Sequence, residues 1–357
     1  MLATNPADIA ITEPILPIVP DAAWEAEVKR VMGTVPEWAR RISPSPWLRR
    51  VCLDWKNYQF DVLPRRLADI GFLVTSQENS CRYCYGVSRA LMRLLGYSER
   101  LITRIEREAQ LAELDPRERV FIAFCRNLAR SNPRPSRAAR EELIALGFSP
   151  LEVAEMAFMI ANFCFGNRIT TLLACPPEAA LERLAEGWLG KLLRPLIAYR
   201  LRKRPPPRNR SGRPAPTLSP IARALEGLPA AVLLQDALDA AFASPLISPR
   251  AKALMFGVIA RTLECRFCEN DMIERLAQLG VSNAAVHASL ASLSDPELGP
   301  AEAPLLAWAR DTVRYQTLDI QKRTRALLDQ IGPQRTLEAV GVAGLANATV
   351  RLAMLLE

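Results

Sequence analysis

Apolar residues recur at helical spacing through most of the chain. Leu67, Ile70 and Val74 share one face, and Val87, Ala90, Leu91 and Leu94 share another, with a polar junction at Ser80 between them. Val120, Ala123, Phe124 and Leu128 form a third stripe; Ala154, Ala157, Phe158 and Ala161 form a fourth. Gly96, Gly147 and Gly280 stand just after periodic segments, where a left-handed cap is needed. Pro116, Pro150 and Pro300 stand at or near expected helix starts, where a missing amide hydrogen is harmless. No run alternates with a period of two, so the expected fold class is all-α.

The pattern repeats. Cys81-Arg82-Tyr83-Cys84 and Cys265-Arg266-Phe267-Cys268 lie 184 positions apart (265 − 81). Phe72 and Val74 fall on Phe256 and Val258, and Leu95-Gly96 and Ser98 fall on Leu279-Gly280 and Ser282. The same register carries Leu114, Pro116, Glu118, Ala123, Arg126 and Arg130 onto Leu298, Pro300, Glu302, Ala307, Arg310 and Arg314. A one-residue slip then sets Ala161-Asn162 on Ala346-Asn347. A register held over this length indicates tandem duplication. The two copies are expected at 21–190 and 218–357, joined by a basic, Pro-rich linker at 191–217.

Charge sharpens the linker. The formal net charge is +8, and the eight basic residues Arg194, Arg200, Arg202, Lys203, Arg204, Arg208, Arg210 and Arg213 stand in a stretch without acidic residues. With Pro205-Pro206-Pro207 among them, this stretch reads as an extended spacer. No aromatic or Gly-rich pattern accompanies it past Tyr199, so a nucleic-acid partner is not expected. The apolar stretch from Met156 to Cys175 is interrupted by Asn162, Asn167 and Arg168, so neither a membrane span nor a membrane partner is expected. The first residues lack a basic start followed by an apolar run, so no signal peptide is expected and the cytoplasm is the default location.

Eight cysteines divide into two groups. Cys52, Cys125, Cys164 and Cys175 are scattered among apolar residues and read as small core side chains. The other four form the two Cys-x-x-Cys pairs. Ser80 reads as an N-cap that places Cys81 and Cys84 in the first turn of a helix, where that spacing brings both sulfurs to one side. The helix N-terminus favours a thiolate, which Arg82 and Arg266 assist if they turn toward the sulfurs, and a neighbouring thiol resolves an oxidised one to a disulfide. Two other readings stand beside thiol redox chemistry: one zinc ion held by four thiolates, and four sulfurs that are simply buried.

The block from Val74 to Cys84, Val-Thr-Ser-Gln-Glu-Asn-Ser-Cys-Arg-Tyr-Cys, followed by Leu95-Gly96-Tyr97-Ser98, resembles the AhpD-like (carboxymuconolactone decarboxylase) superfamily. It is most similar to a peroxidase-related branch with Cys-x-Tyr-Cys; the segment Ala161 to Arg168 resembles that branch's aromatic helix ending in Asn-Arg. The resemblance spans nearly all of the first copy and most of the second. It implies an all-α helical-hairpin fold, a homo-oligomer, and reduction of hydroperoxides without cofactor or metal. It gives Cys84 the peroxide-attacking role and Cys81 the resolving role, with Cys268 and Cys265 as the second-copy redox pair.

The resemblance also implies a proton relay, a Glu twelve residues before the first Cys and a His four after the second. Those positions hold Asp69 and Ser88 in the first copy, and Ala253 and Met272 in the second. The sole histidine, His287, lies outside the motif and reads as a surface or packing residue. Two functions are therefore expected to compete. One is a thiol-dependent peroxidase or thiol–disulfide oxidoreductase using Cys84, Cys81, Asp69 and Ser88, with a hydroperoxide or disulfide substrate and a dithiol reductant. The other is a degenerate scaffold or redox sensor without turnover.

Overall fold

In the computed structural model, which describes residues 5–107, 114–132, 134–135, 137–202 and 216–355, the periodic segments are helices and no strand occurs among these residues. After a 3₁₀ turn at Pro6–Asp8, the first copy contains α1 (Ala22–Met32), α2 (Glu37–Arg41), α3 (Pro46–Lys56), α4 (Arg65–Glu78), α5 (Arg82–Leu95) and α6 (Glu99–Glu106). It continues with α7 (Pro116–Arg130), α8 (Arg137–Ala145), α9 (Pro150–Leu172), α10 (Ala179–Glu186) and α11 (Trp188–Arg202). The second contains α12 (Pro220–Arg223), α13 (Pro229–Ala243), α14 (Pro249–Thr262), α15 (Arg266–Gln278), α16 (Asn283–Ser292), α17 (Leu305–Asp311) and α18 (Thr317–Ala353). None of the described helices is long and apolar enough to cross a membrane.

The repeat is visible in the helices themselves. α4, α5 and α6 begin at Arg65, Arg82 and Glu99, while α14, α15 and α16 begin 184 positions later (249 − 65) at Pro249, Arg266 and Asn283. Gly96, Gly147 and Gly280 adopt positive φ, as their places after helical runs require. Gly332, 185 positions after Gly147 (332 − 147), does so too, and it kinks α18 where the first copy has a loop between α8 and α9.

Three expectations are corrected. The α7 stripe is rotated: Phe121, Phe124, Cys125 and Leu128 are buried, while Ala123 is exposed. Pro300 lies in a run of turns, and α17 starts only at Leu305, with Pro304 as its cap. Residues 191–202, expected to belong to an extended linker, continue α11. Leu, Lys, Arg and Ala favour helix there, and Ile197 packs inward, which together outweigh the interruption at Pro195. The remainder of the basic stretch, 203–215, lies outside the described residues.

One hydrophobic core runs through both copies. At its centre α9 packs along the second half of α18, with Gly344 bringing that helix against Phe165 and Ile169. Trp47 donates its indole N–H to Glu338 (2.6 Å), whose carboxylate also meets buried Lys252 (3.2 Å). Arg168 on α9 donates to Thr312 O and Val313 O at the end of α17 (3.2 and 3.1 Å). Arg351 on α18 returns the favour, donating to Ala129 O at the end of α7 (3.0 Å). Ala129 and Val313 are themselves 184 positions apart (313 − 129), so each copy's arginine caps the equivalent helix end of the other.

Candidate active site

Each Cys pair sits where two helices meet. α4 ends at Asn79, Ser80 turns left-handed (φ 48°), and Cys81 N–H closes back on Ser76 O (3.0 Å). That turn makes Cys81, not Ser80, the N-cap of α5: its sulfur accepts the N–H of Cys84 (3.3 Å). The second copy repeats the geometry, with Glu264 left-handed (φ 59°), Cys265 N–H on Ala260 O (2.9 Å) and Cys265 as the N-cap of α15. All eight cysteines are free and buried, including the four read as core side chains. No three His, Cys, Asp or Glu side chains gather as metal ligands among the described residues, so the thiols of the two pairs do not converge on a four-thiolate zinc site.

The turn that carries Cys81 is held from the second copy. Tyr315 donates to Asn79 O (3.2 Å) and Thr317 to Ser80 O (2.9 Å). The N-terminal strap adds a cover. Ile9, Ala10, Ile11 and Thr12, together with Gln321, line part of a small cleft of about 30 Å³ beside Cys81, room for about one water molecule.

Both sulfurs of the first pair meet one hydroxyl. Thr170 Oγ1, on α9, lies 3.1 Å from Cys81 Sγ and 3.3 Å from Cys84 Sγ. Burial opposes ionisation of Cys81, but hydrogen bonds from the Cys84 thiol, Thr170 and the Cys84 amide help to outweigh it, and its pKa falls to about 6. Cys84 moves the opposite way, well up from the ordinary thiol value, because it donates to Cys81, is buried and faces that charge. The direction of both shifts favours the charge on Cys81 and the proton on Cys84. In the second copy Cys265 is likewise lowered by the bond from Cys268, and Cys268 is raised. There the slip-aligned position of Thr170 holds Leu355.

Cys84 opens onto a cavity of about 680 Å³, the size of a pocket for a small organic molecule. Its walls are largely aromatic and aliphatic, and include Trp55 and the stacked rings of Phe72 and Phe163 (3.8 Å between centroids). Asp69 and Ser88 both line it, so the structure brings these expected site residues into one cavity with Cys84. Asp69 is not an open carboxylate: Arg65 donates to one oxygen (2.8 Å) and Tyr97 to the other (3.1 Å). Burial and the Asp69 charge push the Tyr97 hydroxyl up to about 12.

Arg82 does not turn to the sulfurs. It grips Glu182 on α10 through both nitrogens (2.9 and 3.0 Å), and Gly86 is where that carboxylate crosses α5, so a Cβ there would displace the bridge. Arg266 is exposed, as is His287, whose Nδ1 lies 3.2 Å from Arg261. Met272 and Ala253 are buried apolar residues without relay chemistry. Sequence reasoning missed Thr170 and Lys56. Lys56 lines the cavity with its ammonium 4.5 Å from the Phe163 ring centroid, and its charge favours the Cys84 thiolate. Only the closeness of Thr170 to the Asn167-Arg168 segment hinted at it; nothing local marked Lys56.

The chain is similar to two solved structures. One is described as an alkylhydroperoxidase AhpD core, an uncharacterized peroxidase-related protein from Ralstonia eutropha JMP134. It shares 20% identity, covers 49% of this chain and 99% of its own, and has a TM-score of 0.44. The other is an uncharacterized peroxidase-related protein from Silicibacter sp. TM1040, with 21% identity, 51% and 97% coverage and a TM-score of 0.40. No family model matches the chain, and neither does any curated protein.

Proposed function

We propose that the first copy is a thiol-dependent peroxidase in which Cys84 attacks a hydroperoxide and Cys81 serves first as its base and then as its resolving thiol. One observation carries this reading: the two sulfurs share Thr170, with Cys81 fully buried and Cys84 lining the cavity, and the lowered Cys81 and raised Cys84 pKa values agree with it. As Cys84 attacks, its proton passes to Cys81. The O–O bond breaks, a sulfenic acid forms on Cys84, and the alkoxide takes the proton from Cys81 to leave as an alcohol. The Cys81 thiolate then attacks the Cys84 sulfur and expels hydroxide, which takes a solvent proton to become water. The protein ends as a disulfide, two electrons poorer, and a dithiol reductant restores it.

Cys81 does the work that the resemblance assigns to a Glu–His relay, while Asp69, tied to Arg65 and Tyr97, shapes the cavity wall and Ser88 offers it a hydroxyl. The second copy keeps the thiols but not the hydroxyl bridge, and it supports the first through Tyr315 and Thr317. Peroxide consumption with a dithiol donor tests the proposal. Cys84→Ser should lose turnover by a factor of about 100 or more, the scale of losing an activated nucleophile, whereas a rate equal to wild type refutes it. Reversible disulfide formation without turnover would instead favour the redox-sensor reading.

A further inference from the structure

α11 has two faces of different kind. Ile197 and Ala198 turn inward, and Ile197 joins a small cluster with Ala90, Leu94, Ala185 and Leu181. The outer face presents Trp188, Leu192, Leu196 and Tyr199, spaced by four, four and three residues, with Leu189 beside them. These are five of the fourteen large hydrophobic side chains exposed among the described residues, gathered on one 15-residue helix. Trp188 is 75% exposed and Leu192 66%. Such a stripe is a surface built to be covered.

Charge indicates by what. Between Glu186 and Glu226 the sequence holds ten Lys or Arg residues and no Asp or Glu, and Lys191 is exposed on α11 itself. We propose that α11 is an interfacial docking helix for an anionic lipid surface. Leucines along one face, an aromatic ring toward each end and basic residues alongside are the chemistry by which a helix lies in the headgroup region without spanning the bilayer. A second copy of the chain, itself carrying a net charge of +8, offers no net opposite charge to this stretch. Nucleic acid would take up the charge but leave Leu192 and Leu196 in water. The sequence-based expectation of no membrane partner rested on the lack of a span, which surface docking does not need.

Vesicle flotation with the full chain tests this, using phosphatidylcholine alone and phosphatidylcholine with one-third phosphatidylserine. Wild type should float with the anionic vesicles, release as salt rises, and bind the neutral ones about tenfold more weakly or less, since each basic residue near an anionic surface adds about fivefold. Leu192→Glu with Leu196→Glu should lose about tenfold or more of that binding while keeping the wild-type thermal melt, because both positions face outward. Lys191→Glu provides a second, milder variant with the same direction of change. No flotation, equal flotation on both vesicle types, or equal flotation of wild type and the double variant overturns the proposal. So does a stripe-dependent dimer that stays off the vesicles.

Discussion

The hydrogen bond between the two thiols divides the proton between Cys81 and Cys84, and the Thr170 hydroxyl adds to the lowering of Cys81. Thr170 lies within hydrogen-bond reach of both sulfurs, and hydrogen bonds to an ionised group are worth roughly 1.5–3 kcal/mol, equivalent to tenfold or more in an ionisation constant. Thr170→Val keeps the shape and removes the hydroxyl. Followed by thiolate ultraviolet absorbance, the Cys81 titration should rise from about 6 to about 7 or above, given that hydrogen-bond strength. The sign for catalysis follows. Cys81 accepts the Cys84 proton only as a thiolate, so turnover should hold above the Cys81 pKa and fall about tenfold per pH unit below it. The variant's profile should shift to higher pH with its titration. An unchanged profile would mean that Thr170 does not govern the thiolate.

At the scale of elements, the junction of α4 and α5 is what makes a Cys-x-x-Cys into a site. The left-handed residue before each pair is a non-glycine, Ser80 in one copy and Glu264 in the other. An L-residue in that conformation costs roughly 1–2 kcal/mol relative to the right-handed one, which glycine does not incur. Ser80→Gly should therefore stabilise the protein by up to about 1 kcal/mol once the added freedom of the unfolded chain is subtracted. Urea unfolding measures it, and a midpoint below wild type would show that the Ser80 side chain supplies more than the strain removes. Gly86 illustrates the opposite constraint: the Arg82–Glu182 bridge that ties α5 to α10 occupies the space of its missing side chain.

Across the whole molecule, duplication has become mutual dependence. Arg168 and Arg351 each reach from their own copy to the end of a helix in the other, and a buried carbonyl left without a donor costs roughly 1–3 kcal/mol. Arg168→Met should lower stability by about 2 kcal/mol or more. Because the arginines are buried in a core shared by both copies, the loss should appear as one cooperative urea transition moved to lower concentration. Two separated transitions in the wild type, one per copy, would show that the repeats fold independently. The first site draws on the same unity, since Tyr315 and Thr317 hold the turn before Cys81.

Local sequence carries local facts. Periodicity, glycine caps and a 184-residue register disclosed the helices, the repeat and the position of both Cys pairs, because each depends on residues near one another in the chain. Asp69 and Ser88, which line the cavity, came from the family resemblance rather than from local sequence. Local sequence misplaced the N-cap by one residue, since a left-handed Ser80 depends on how two helices meet, and it read 191–202 as linker because their inner face shows only against α5. Thr170 is 86 residues from Cys84, and the strap and Tyr315 reach the site from opposite ends of the chain. Contacts of that separation are set by packing in three dimensions. The tertiary structure therefore decided what surrounds the two sulfurs, and the sequence alone determined that a pair would stand at the start of a helix.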